Sequence, residues 1–171
     1  MPAAEPEQPG FDLPAPGTIV AGHREDGALE TSRVLGSEAY AVTMLRDGER
    51  ITHVPFCYRC GHPRDERIEL ERYRALWPLE VGRSVTFQRQ RLSDGAVWVH
   101  AVTVTGTETV DTDFGPVETF VIEETVTGAG GNRWQAARTQ WFSPQLGWSV
   151  RSEWQAPEDT GSWKIAAIAL P

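Results

Sequence analysis

Lysine is almost absent from this chain: Lys164 is the single one among 16 basic residues, and the rest are arginine. The arginines are scattered, and 24 acidic residues outweigh them to a net charge of -8. A surface of that sign repels a phosphate backbone, so no nucleic-acid partner is expected. No run approaches the roughly 18 apolar residues of a membrane helix. The most apolar stretch, Ile165 to Leu170, is strand-sized, so no transmembrane segment is expected. A secretory leader is also missing, because Met1-Pro2-Ala3-Ala4-Glu5 has neither a basic start nor an apolar centre. Either the protein is cytoplasmic, or Met1 stands where a leader was removed. Also absent are a Gly-x-Ser-x-Gly elbow, a phosphate loop and a helix with two histidines four apart. No catalytic residue is therefore assigned.

What is present reads as β structure. A length of 171 residues suits one domain with a real core. Residues 1–16 hold five prolines and three acids, a composition that cannot order itself, so a tail is expected there and a single β domain over 17–171. Two Asp-Gly pairs mark hairpins. Around Asp47-Gly48, Met44 should oppose Ile51 and Val42 should oppose His53. Around Asp94-Gly95, Phe87 should oppose Val102, Val85 should oppose Val104, and Arg91 should oppose Trp98. Alternating segments with turns at roughly ten-residue spacing continue to Leu170. One short helix is expected near 64–77, where Tyr73, Leu76 and Trp77 recur at helical spacing before Pro78. The fold class is mainly β: a curved antiparallel sheet, as a sandwich or half-open barrel.

Seven tryptophans are many for this length. Alternation places Trp148, Val150, Ser152 and Trp154 on one face, and Trp134, Arg138 and Gln140 on one face of the preceding strand. Indoles of this kind fill a curved sheet's interior. They also make an aromatic cleft, in which Trp134, Arg138, Gln140, Trp148 and Trp154 would take an apolar or amphipathic ligand. A hydrolase whose cleft is lined by Trp134, Arg138 and Trp154 is an alternative. Glu123 and Glu124 point to opposite faces of one strand and cannot act together.

The other cluster is His53, Cys57, Cys60 and His62. A Cys-x-x-Cys turn places two thiolates on one side of a single ion, so zinc is the cofactor this cluster admits, in a small metal-binding domain. The rival is a disulfide between Cys57 and Cys60, favoured if the chain is exported.

Three segments look like pieces of a group of bacterial exported β proteins of unknown function. They are Leu76-Trp77-Pro78-Leu79-Glu80-Val81-Gly82, the stretch from Val110 to Ile122 around Gly115, and Gln140-Trp141-Phe142-Ser143-Pro144-Gln145-Leu146-Gly147-Trp148. The resemblance implies a strongly curved antiparallel sheet and a lipoprotein-like place in the periplasm or cell envelope. It implies no catalytic residue. The resulting expectation is an envelope domain that binds an apolar or amphipathic small molecule, or another envelope protein.

Overall fold

A computed structural model describes residues 13–38, 41–53 and 66–171. Eleven strands run through them: β1 (Ile19–Arg24), β2 (Leu29–Glu38), β3 (Ala41–Arg46), β4 (Glu49–His53), β5 (Glu66–Ile68), β6 (Ser84–Arg91), β7 (Val97–Thr112), β8 (Gly115–Ala129), β9 (Gln135–Ser143), β10 (Trp148–Ala156) and β11 (Asp159–Ala169). They form one antiparallel sheet in the order β4-β3-β2-β1-β11-β10-β9-β8-β7-β6-β5. Every neighbour is also a sequence neighbour except at β1 and β11, which join the two ends of the chain in mid-sheet. The sheet is not closed into a barrel; β4 and β5 are its edges.

The sheet is nevertheless strongly curled. His53 on β4 and Trp148 on β10 are five strand spacings apart along the sheet, which on a flat surface would be about 24 Å. Their ring centroids are 5.8 Å apart, with 24° between the planes. Register shifts between Ala21/Gly22, Val34/Gly36, Val104/Gly106 and Ser149/Arg151 supply part of the bend, because an extra residue on one strand increases local twist. Glycine supplies another part. A Cβ on Gly22 would stand 2.2 Å from the Trp163 ring, and one on Gly161 would stand 2.6 Å from the Trp154 ring. Each indole therefore lies flat against backbone where a side chain would hold it away.

The Asp47-Gly48 hairpin has the anticipated register, Met44 against Ile51 and Val42 against His53. Both turn residues have positive φ, 49° and 87°, as a two-residue turn of this hand requires. The Asp94-Gly95 segment does not form such a turn. The Asp94 carboxylate accepts from the Arg91 guanidinium at 2.9 and 2.6 Å and from the Ala96 N–H at 3.1 Å. These bonds hold its pKa down to about 2, the Arg91 contact contributing most. The loop is longer as a result, and the register moves by two residues. Phe87 opposes His100, Val85 opposes Val102, and Arg89 rather than Arg91 opposes Trp98. A shift of two leaves every side chain on its expected face.

The helix near 64–77 is a 3-10 helix over Leu70–Leu76, and Glu66 to Ile68 before it is the edge strand β5. Its buried Tyr73 and Leu76 join Leu79, Val85, Phe87, Val102, Val104, Phe120, Ile122 and Phe142 in the largest core cluster. A second cluster, Val34, Val42 and Met44, is covered by Leu13, Ile51 and Trp148. No helix among the described residues is long and apolar enough to cross a membrane.

Candidate binding face

Residues opposite one another on paired strands share a face of the sheet. Reading across the register, Val85 opposes Val102, Val102 opposes Glu124, Glu124 opposes Arg138, and Arg138 opposes Trp154. In the next row, Phe87 opposes His100, His100 opposes Val126, and Val126 opposes Ala136. Three ionisable side chains, Glu124, His100 and Arg138, thus occupy places in an otherwise aliphatic and aromatic inner face. Arg89 does the same on β6, opposite Trp98.

These groups form a buried chain of hydrogen bonds. Arg89 donates to Glu66 Oε1 at 2.6 Å and, through Nε, to His100 Nε2 at 3.2 Å. His100 Nδ1 is 2.9 Å from Glu124 Oε1, and the two side chains are 0% and 1% exposed. Arginine can only donate, so His100 Nε2 must present a lone pair. The hydrogen then resides on Nδ1, which donates to Glu124, and the imidazole is neutral in this arrangement. Phe87 stacks on the same ring at 4.7 Å. Arg89 and Arg91 lie over the Trp98 indole, 4.4 and 5.3 Å from its centroid. Burial raises the Tyr73 hydroxyl pKa well above the usual phenol range; the Glu124 charge raises it further, and Arg138 acts in the opposite direction.

The aromatic candidates divide into two groups. Arg138, Gln140 and Trp154 come together: Arg138 opposes Trp154, and it donates to Ser152 Oγ at 3.2 Å on the strand that Gln140 also faces. Trp134 stands edge-on to Trp98, 6.5 Å between centroids. Its indole N–H donates to Glu158 at 3.1 Å, and that of Trp154 donates to Asp159 at 3.0 Å, so both are held by carboxylates at the β10–β11 turn. The bulge at Ser149/Arg151 takes Trp148 out of phase with Ser152 and Trp154, contrary to simple alternation. Trp148 instead packs against His53 and the Val34, Val42 and Met44 cluster. Trp141 points the other way, beneath the Arg151 guanidinium at 4.2 Å, and donates to Glu108 at 2.8 Å.

Of the four residues in the histidine and cysteine cluster, Cys57, Cys60 and His62 lie outside the described residues. His53 is inside the curl of the sheet. Burial, then the positive charges of Arg138 and Arg46, push its pKa down to about 3. Among the described residues, no group of three or more His, Cys, Asp or Glu side chains is placed to hold a metal ion.

Several buried polar atoms have no hydrogen-bond partner among the described residues: Trp98 Nε1, Trp163 Nε1, Gln140 Nε2 and Glu66 Oε2. Gln140 is 2% exposed, and its carbonyl oxygen is already occupied by the Ser149 hydroxyl at 2.7 Å. A buried amide or indole N–H without an acceptor is costly.

Sequence reasoning gave no role to Arg89, His100 or Glu124. The signal was their phase. Glu124 alternates with Phe120, Ile122 and Val126, His100 with Trp98 and Val102, and Arg89 with Val85 and Phe87. An ionisable residue in the apolar phase of each of three consecutive strands points to an internal polar network.

This architecture has a known counterpart. It resembles YmcC. Superposition on that hypothetical lipoprotein from Escherichia coli (K12) gives a TM-score of 0.58 at 13% identity, over 94% of this chain and 90% of that one. A candidate lipoprotein from Parabacteroides distasonis ATCC 8503 is similar, with a TM-score of 0.51 at 11% identity over 95% of this chain and 100% of that one. No protein-family model and no curated protein matches the sequence. The likeness to YmcC is one of fold, and it is the curved antiparallel fold implied by the segments around Leu76, Gly115 and Trp141.

Proposed function

We propose that this chain is a cell-envelope binding domain whose curled inner face takes an amphipathic ligand or the amphipathic segment of another envelope protein. The observation that carries the reading is the set of buried donors on an aromatic face, Gln140 Nε2, Trp98 Nε1 and Trp163 Nε1, without acceptors among the described residues. A purely apolar guest would leave them unsatisfied, whereas a guest with a polar or anionic head would supply oxygen acceptors. An anionic head would also meet the charges of Arg138 and Arg46, which add to burial in lowering the His53 pKa. Trp148, Trp154 and Trp134 would supply apolar surface. The envelope location is supported by the YmcC likeness, since YmcC is itself described as a lipoprotein.

The test is a titration of the full chain with a brominated lysophospholipid below its micelle concentration, read by tryptophan quenching. Saturable quenching is expected, weaker in Gln140→Leu and in Arg138→Gln. Absence of quenching by a protein that unfolds cooperatively would overturn the binding reading. Fractionation of cells expressing the natural open reading frame tests the compartment, and recovery in the soluble cytoplasm would overturn it.

A further inference from the structure

The outward face of β4, β3, β2, β1 and β11 has a composition unlike the rest of this acidic chain. Across the register, Arg50 opposes Leu45, Leu45 opposes Arg33, Arg33 opposes Ile19, and Ile19 opposes Ala169. The next row is Thr31, Ala21 and Ala167, and the one beyond is Leu29, His23 and Lys164. The first row holds no carboxylate, although the chain carries a net charge of -8; beside the second, the Asp47 carboxylate accepts from the Thr31 N–H at 3.0 Å. The chain's single lysine is here. The large apolar residues Ile19, Leu29, Leu35 and Leu45 are between 36% and 57% exposed. The acidic turn residues Glu25, Asp26 and Asp47 lie at the Leu29 end, so the Ile19 end is the apolar and basic one. Gly17, which leads into β1, lies against Pro171 at that same end.

We propose that this outward face seats on the surface of an anionic phospholipid bilayer. Ile19, Leu35 and Leu45 enter the boundary between headgroups and acyl chains, and Arg33 and Arg50 pair with phosphates. Exposed leucine beside arginine suits that boundary: the apolar side chain is buried and the guanidinium forks onto a phosphate. A second copy of the chain fits less well. A symmetric pairing of this face with itself brings Arg33 and Arg50 against their own kind, with no carboxylate in their own row to offset them. The inference uses the face opposite to the ligand site and does not depend on that reading.

The experiment is co-sedimentation of the full chain with phosphatidylcholine vesicles, with and without phosphatidylglycerol, at low and high salt. Association is expected only with phosphatidylglycerol, and it should fall at high salt. Arg33→Gln and Arg50→Gln should each lower the partition coefficient about fivefold. Arg33→Lys should retain most of it, and Leu45→Ser should weaken it at every salt concentration. Arg67→Gln, on the opposite edge strand, should leave it unchanged. Urea transitions of each variant establish that the fold is intact. Failure to bind anionic vesicles would overturn the proposal, as would an equal loss in Arg67→Gln. A concentration-dependent dimer that ignores vesicles and is disrupted by Leu45→Ser would also overturn it and assign the face to a second copy.

Discussion

Replacing His53 with asparagine should change how the fold responds to acid. In the folded chain, burial and the charges of Arg138 and Arg46 hold the His53 pKa at about 3; in the unfolded chain it returns to about 6.5. Above pH 6.5 both states are neutral and the linkage contributes nothing adverse. As pH falls from 6.5 toward 3, the unfolded state takes a proton that the folded state cannot, and stability drops by about 1.4 kcal/mol per pH unit. At pH 4.5 the loss relative to pH 7.5 is about 2–3 kcal/mol. His53 is half-buried, so this is an upper bound. His53→Asn removes the titration but keeps a neutral polar group. It also removes the stacking on Trp148, at a cost of about 1 kcal/mol that does not depend on pH. The assay is urea unfolding of both proteins at pH 7.5 and 4.5, followed by tryptophan fluorescence. Carboxylate titration is common to both proteins and cancels in the difference. The variant should be less stable at pH 7.5, and should equal or exceed the wild type at pH 4.5. A stability gap that is the same at both pH values would refute the enclosure of His53.

Arg89→Met leaves the Glu66 carboxylate buried without its cation and should cost about 3–5 kcal/mol in urea unfolding, whereas adding Glu66→Leu should return part of that loss. Gly22→Ala forces the Trp163 indole from its seat and should cost about 1–3 kcal/mol; combined with Trp163→Val the two losses should be less than additive. Phe87→Ala opens the largest core cluster beside His100 and should cost about 3–5 kcal/mol, read as a shift of the urea midpoint at unchanged slope.

Turn chemistry explains how much of this fold was legible in the sequence. Asp47-Gly48 gave a correct register because its two residues take positive φ and the hydrogen bonds of Asp47 run to Thr31 on the neighbouring strand, leaving the two-residue turn intact. Asp94-Gly95 misled because Arg91, three residues earlier, captures the carboxylate and lengthens the loop. Alternation found the faces of β6, of β8 and of β7 as far as Val104 correctly, but the bulge at Val104/Gly106 reverses the phase beyond it. Alternation failed on β10, where the bulge at Ser149/Arg151 re-aims Trp148, and a single extra residue has no compositional mark. The inner polar network was readable in principle from the phase of Glu124, but an acidic residue on a half-polar strand is ordinarily solvated, which hid it. The curl itself needs long-range contacts, such as His53 with Trp148, that no local pattern encodes.

The joining of β1 to β11 has a consequence for how the molecule comes into being. The last of the eleven strands in chain order, β11, is a central one, flanked on one side by β4 to β1 and on the other by β10 to β5. Until it arrives, the growing polypeptide holds two separate meanders whose facing edges have nothing to pair with. Completion of the sheet therefore waits for β11, and loss of that strand would split it at its middle instead of trimming its rim.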